Sequence, residues 1–128
     1  MNKVLPNSDL QALCVEAEAK GVALSDLESI CLEFGVSPET VLNELSITVA
    51  EGYLSENLSY EFCDGVMNGI ANAIFDLGMA GELPQPAFAL YQAFDLGEWV
   101  RSSDSPDTDP GEKYTTRTML EILRDFER

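Results

Sequence analysis

The stretch Ser59 to Gly78, SYEFCDGVMNGIANAIFDLG, decides the fold. Phe62, Val66, Ile70, Ala73 and Leu77 recur at helical spacing, and Cys63, Met67 and Ile74 widen that apolar face. Along the other side Glu61, Asp64, Asn68, Asn72 and Asp76 follow in steps of three or four, without a cation. A helix with so broad an apolar face needs neighbours on several sides. It is therefore expected to be the centre of an all-α, single-domain bundle of about six helices spanning the chain. Gly65 and Gly69 sit inside it. Each costs a helix about 1 kcal/mol relative to Ala, and the expected compensation is a close crossing by a neighbour, with Ala73 on the same small ridge. A membrane-spanning helix pair is excluded, because charged and amide residues interrupt the segment.

Working back from that helix, Ser37 with Pro38 marks the start of a helix whose inner face is Val41, Leu42, Leu45 and Val49. The β-branched run Ser46 to Val49 is read as its continuation, because no turn precedes it. A break is expected within Gly52 to Asn57. Earlier, Ser25 with Glu28 suggests a capping box for a helix ending at Gly35, and Ser8 with Gln11 another for a helix with Leu10, Leu13, Cys14 and Ala17 inside and Gly21 at its end. Working forward, Ala87, Leu90, Tyr91 and Phe94 form a fifth helix ending near Gly97. RSSDSPDTDPGEK, Arg101 to Lys113, reads as a polar loop. Thr118 with Glu121 then caps a last helix bearing Met119, Ile122, Leu123 and Phe126.

Charge narrows the function. The 128 residues carry a formal net charge of −16 and 45% hydrophobic residues. The apolar fraction is that of a folded domain rather than a disordered acidic tail. From Gly21 to Val100 there are thirteen Asp and Glu and no Lys or Arg. Such a field repels nucleic acid and anionic membranes, strains the fold by self-repulsion, and is complemented by a basic macromolecule. The three cysteines, Cys14, Cys31 and Cys63, are odd in number and fall on apolar helix faces, so they read as free thiols in a reducing compartment. MNKVLPNSDL lacks the apolar core of a signal peptide, and no apolar run reaches membrane-spanning length, so a cytoplasmic protein is expected.

Several stretches have the residue types of a site. Leu24 to Leu45 has the punctuation of a helix-turn-helix, but its second helix would present Glu39, Asn43 and Glu44 where phosphate needs Lys or Arg, so a structural hairpin is expected. Asp104, Asp107, Asp109 and Glu112 are spaced closely enough to suggest calcium, yet neither register places Gly sixth and Glu twelfth as an EF-hand requires. Nothing sets two carboxylates across a pocket for acid–base work, and there is no His, nucleophile motif or phosphate loop. No enzyme, cofactor or metal is therefore expected. Asp95, Glu98 and Trp99 join acidic side chains to a large aromatic, which suits either an interface anchor or a lid on the core.

AFDLGEWV (Ala93 to Val100) followed by DTDPGEKYTT (Asp107 to Thr116) resembles the small cytosolic immunity proteins of bacterial polymorphic-toxin systems, including contact-dependent growth inhibition. The likeness covers the final third of the chain. It implies binding to one toxin domain and assigns no residue. Charge points the same way, since a nuclease toxin must present a cationic surface to its substrate. The expected contacts are Asp64, Asp76, Asp95, Glu98, Trp99, Asp107 and Asp109. An acidic adaptor or secretion chaperone, and a DNA mimic acting on a host DNA-binding protein, share these electrostatics.

Overall fold

The computed structural model describes residues 4–98, 104–105 and 107–126. Every regular element among them is helical: α1 (Asn7–Lys20), a 3-10 turn (Leu24–Leu27), α2 (Glu28–Phe34), α3 (Pro38–Leu54), α4 (Tyr60–Ala80) and α5 (Ala87–Leu96). A π-helical turn (Gly111–Thr116) then leads into α6 (Arg117–Phe126). The chain is a small all-α bundle. α4 packs on α1, α3 and α5 together, and buries Cys63, Val66, Met67, Ile70, Ala73 and Ile74 among them.

The two glycines of α4 serve its crossing with α1 unequally. A Cβ on Gly69 would lie 2.0 Å from the Ala17 carbonyl oxygen, whereas one on Gly65 would meet the Glu18 Cγ at 3.1 Å. The Gly69 carbonyl also accepts the Val22 N–H at 2.9 Å, so the turn after α1 is pinned to α4 at the same point. Gly21 makes that turn at φ +85°, in the left-handed region.

The expected cap at Ser37 is present, its hydroxyl accepting the Thr40 N–H at 3.2 Å. Ser59 supplies a cap that was not expected, its hydroxyl accepting the Phe62 N–H at 3.1 Å. Three other expected caps are corrected. Ser8 lies inside α1, where the Pro6 carbonyl takes the N–H groups of Asp9 and Leu10 at 3.1 Å each. Ser25 lies inside the 3-10 turn, and Asp26 accepts the Ala23 N–H at 2.9 Å. The last helix does not start at Thr118, for Asp109 accepts the N–H groups of Gly111 (3.0 Å) and Glu112 (3.3 Å). An Asp cap followed by Pro110 in the first turn outcompetes the later threonines, because it satisfies orphan donors where proline has none to lose. Thr115 is thereby buried inside the helical segment, and its hydroxyl donates to the Ala93 carbonyl at 2.6 Å.

α3 is buried on more sides than its inner face requires. Glu44, expected to be exposed, is 7% exposed and accepts the N–H groups of Val4 and Leu5 at 2.9 Å each. Asn43, also expected outside, accepts the Ala87 N–H at 3.1 Å and so caps α5. Of the would-be recognition residues only Glu39 remains exposed.

Candidate functional site

One end of the bundle is built where α3 finishes, α4 begins, α5 finishes and the π-helical turn begins. Tyr60, in the first turn of α4, donates its hydroxyl to the Phe94 carbonyl at the end of α5. Its ring meets Tyr53 and Phe94 at centroid separations of 6.0 and 5.9 Å. The Tyr53 hydroxyl is within 3.1 Å of that of Thr116. Gly97 and Gly111 bring the chain segments close, since a Cβ on Gly97 would stand 2.9 Å from the Gly111 Cα and 2.3 Å from the Thr115 hydroxyl. These contacts fix the backbone positions from which the acidic side chains project.

On one flank of Tyr60, Asp64 of α4 meets Asp95 and Glu98 at the end of α5. Glu98 acts on both aspartates. All three carboxyls are held above their ordinary range. Burial is the main cause for Asp64, with the charge of Asp95 adding to it. For Asp95 it is the hydrogen bond to Glu98, then burial. For Glu98 it is the hydrogen bond to Asp64, then burial. Among the described residues no Lys or Arg acts on the three. Their field reaches the Tyr91 and Tyr60 phenols, which burial and these carboxylates push up.

On the other flank is a cleft of about 510 Å³ whose walls include Tyr53, Tyr60, Glu56, Glu61, Asp109 and Glu112. Among the described residues no Lys or Arg lines it. The arrangement suits a cation: carboxylates supply charge, and the tyrosine rings supply apolar and π surface for an alkyl or guanidinium group.

Of the expected contact residues, Asp64, Asp95 and Glu98 are brought together, and Asp109 sits at the neighbouring cleft. Asp109 is at once an exposed carboxylate and the cap of the last helical segment. Asp76 lies elsewhere: it is exposed, twelve residues beyond Asp64 on α4, about 18 Å by helical rise. Asp107 is exposed, with its N–H on the Ser105 hydroxyl at 3.3 Å. Trp99 lies outside the described residues. Asp104, in the stretch first considered for calcium, pairs with the Lys113 ammonium and accepts the Tyr114 hydroxyl. Among the described residues no group of His, Cys, Asp or Glu is arranged to hold a metal ion. Glu56 and Tyr60 were not anticipated, and Glu112 was expected only as one of the loop carboxylates. Their only sequence signal is acidity or aromaticity, and nothing in the spacing joins residues 53–61 to residues 109–112.

A second concavity, about 540 Å³, runs between α1, α3 and the start of α4. Val15, Leu58 and Phe62 line it, and the Thr48 hydroxyl there is buried without a hydrogen-bond partner. No helix among the described residues is long and apolar enough to cross a membrane. No family model, curated protein or solved structure matches this chain.

Proposed function

We propose that this chain is an immunity protein, one that neutralises a cognate basic toxin domain by laying its acidic end over a cationic active cleft. A nuclease is the toxin class whose substrate this surface imitates, because a nuclease holds phosphates with Lys and Arg. The observation that carries the reading is the meeting of Asp64, Asp95 and Glu98, with no counter-charge beside them among the described residues, next to a carboxylate-lined cleft. Like charges held together raise one another's proton affinity, and an arriving cation relieves that repulsion. Complementary fields would also speed encounter, toward about 10⁸ M⁻¹s⁻¹ at low salt. Neither a catalytic step nor a cofactor enters this role, and the partner is a protein rather than nucleic acid or membrane.

The test is survival of cells that express the basic toxin domain encoded beside this chain, with and without it. A variant combining Asp64→Asn, Asp95→Asn and Glu98→Gln keeps its helical spectrum and loses protection on this reading. Full protection by that variant overturns it.

The groove beside Thr48 favours a second reading, an adaptor or secretion chaperone, because such proteins hold an extended segment of their client in an apolar channel. The two separate on the client. An inhibitor binds the folded toxin domain, and a chaperone binds an unfolded segment of it.

A further inference from the structure

The acidic residues of α4 and α5 belong to a longer stripe. On α4 the residues Asp64, Asn68, Phe75 and Met79 share one side, away from the buried Val66 and Ile70. On α5 the residues Phe88, Tyr91 and Asp95 share the side facing them. Phe75 makes edge contacts with Phe88 (6.1 Å) and Tyr91 (5.7 Å). It is nevertheless 40% exposed, and Met79, one turn further, is 87% exposed. One end of the stripe is therefore apolar and open, and the other is anionic. Tyr91 joins them, being in ring contact with Phe75 and in the field of Asp95, Glu98 and Asp64.

We infer that this α4–α5 face seats an amphipathic basic helix of the partner protein, its apolar side chains on Phe75, Met79 and Phe88 and its Arg or Lys among Asp64, Asp95 and Glu98. The inference rests on the reading of the chain as a binder of a basic protein, and adds the shape that partner must have. Phe75 and Asp64 are eleven residues apart on α4, about 16 Å along the axis. A partner helix of three turns spans that distance. Charge alone would bind any polycation. An exposed Phe–Met seat at a fixed distance from the carboxylates selects among basic partners, because desolvated apolar anchors carry most of an interface's affinity. A second copy of this chain is a poor occupant, since it would bring its own Asp64, Asp95 and Glu98 against the same end.

The probe is an alanine-based helical peptide with leucines at one end and arginines about 16 Å along the same side. Two control peptides replace the leucines with alanine or the arginines with glutamine. Titration is followed by amide chemical shifts of the isotope-labelled protein. The expected result is saturable shifts at Phe75, Met79, Phe88 and Asp64 with the first peptide, and affinity at least about tenfold weaker for either control. Met79→Ser, at a side chain too exposed to hold the fold, and Phe75→Ala are each expected to weaken the first peptide by a similar factor. Equal binding of the leucine-free peptide, or no change in either variant, overturns the apolar seat. The survival test with the carboxylate variant is a separate measurement, and stands or falls without it. A dimer of the free protein that Met79→Ser dissociates also overturns the inference, by making a second copy the occupant.

Discussion

Replacing Gly69 with Ala and replacing Gly65 with Ala, four residues apart on α4, are expected to have opposite effects on stability. In a helix interior either change gains about 1 kcal/mol in propensity. At Gly69 the new methyl carbon would stand 2.0 Å from the Ala17 carbonyl oxygen and 2.7 Å from its carbon, both backbone atoms of α1. Ordinary contact begins near 3.4 Å, so α1 must retreat from α4 by more than an ångström. A radial gap of that size forfeits roughly half of the dispersion attraction across the crossing. The buried Leu10, Leu13, Cys14 and Ala17 of α1 all feel it. Overpacking costs about 1–3 kcal/mol, and the 2.9 Å bond from Val22 to the Gly69 carbonyl adds about 1 kcal/mol if it breaks. Subtracting the propensity gain leaves Gly69→Ala destabilised by about 1–3 kcal/mol. At Gly65 the methyl meets only the Cγ of the exposed Glu18, at 3.1 Å. That side chain swings aside, and Gly65→Ala is expected to be neutral or stabilising by up to about 1 kcal/mol. Urea denaturation followed by circular dichroism measures both. Equal losses in the two variants, or a Gly69→Ala within about 0.5 kcal/mol of wild type, would refute the tight α1–α4 crossing.

Three further outcomes are expected. Glu56, just past the Ser55 C-cap of α3, adopts φ +64°, a left-handed conformation that favours glycine, so Glu56→Gly should raise stability by about 0.5–1 kcal/mol in the same assay. Asp109→Ala should lose about 1 kcal/mol with the cap of the last helical segment, whereas Asp109→Asn keeps the cap and stays close to wild type; thermal melts of the pair measure the cap apart from the charge. The carboxyls of Asp64, Asp95 and Glu98 are raised in the fold, so the native state binds protons more tightly than the unfolded chain. Their contribution to stability is therefore complete below the unfolded carboxylate value, near about 4, and is lost as pH rises through the folded values, so the urea midpoint should climb as pH is lowered from neutral toward about 5. Affinity for a cationic partner should fall over that interval, and calorimetry in buffers of different ionisation enthalpy should detect proton release on binding.

Periodicity carried the helices, because a core face repeats along one segment and burial enforces it. The expected inner residues of α1, α3 and α4, such as Leu13, Leu45 and Ile70, are buried. What a single segment cannot express was missed. Glu44 reads as a surface acid until the N–H groups of Val4 and Leu5, some forty residues earlier, arrive to be accepted. Asp109 reads as one more acid in a loop, although the proline after it is the usual company of a helix cap. At the site, acidity was visible and position was not. Asp64 and Asp76 look equivalent on the polar strip, and only the end of α5 distinguishes them, by placing Asp95 and Glu98 beside the first.

Acidity as such does not explain where the acids are. A chain that needed only solubility would gain most by spreading its carboxylates, since repulsion falls with distance and salt screens it beyond about 8–10 Å. Here three of them meet closely enough to raise one another's proton affinity, in a region where Tyr60, Thr115 and the Gly97–Gly111 approach tie the chain segments together. The same chain does neutralise an acid where the fold needs quiet, as at Asp104 with Lys113 and Tyr114. The close meeting at Asp64, Asp95 and Glu98 is thus a local destabilisation tolerated by a stiff scaffold, and a counter-charge from outside relieves it. A site that is strained when empty and relaxed when filled binds through the difference. That is why the decisive substitutions are those that remove charge there and leave the scaffold intact.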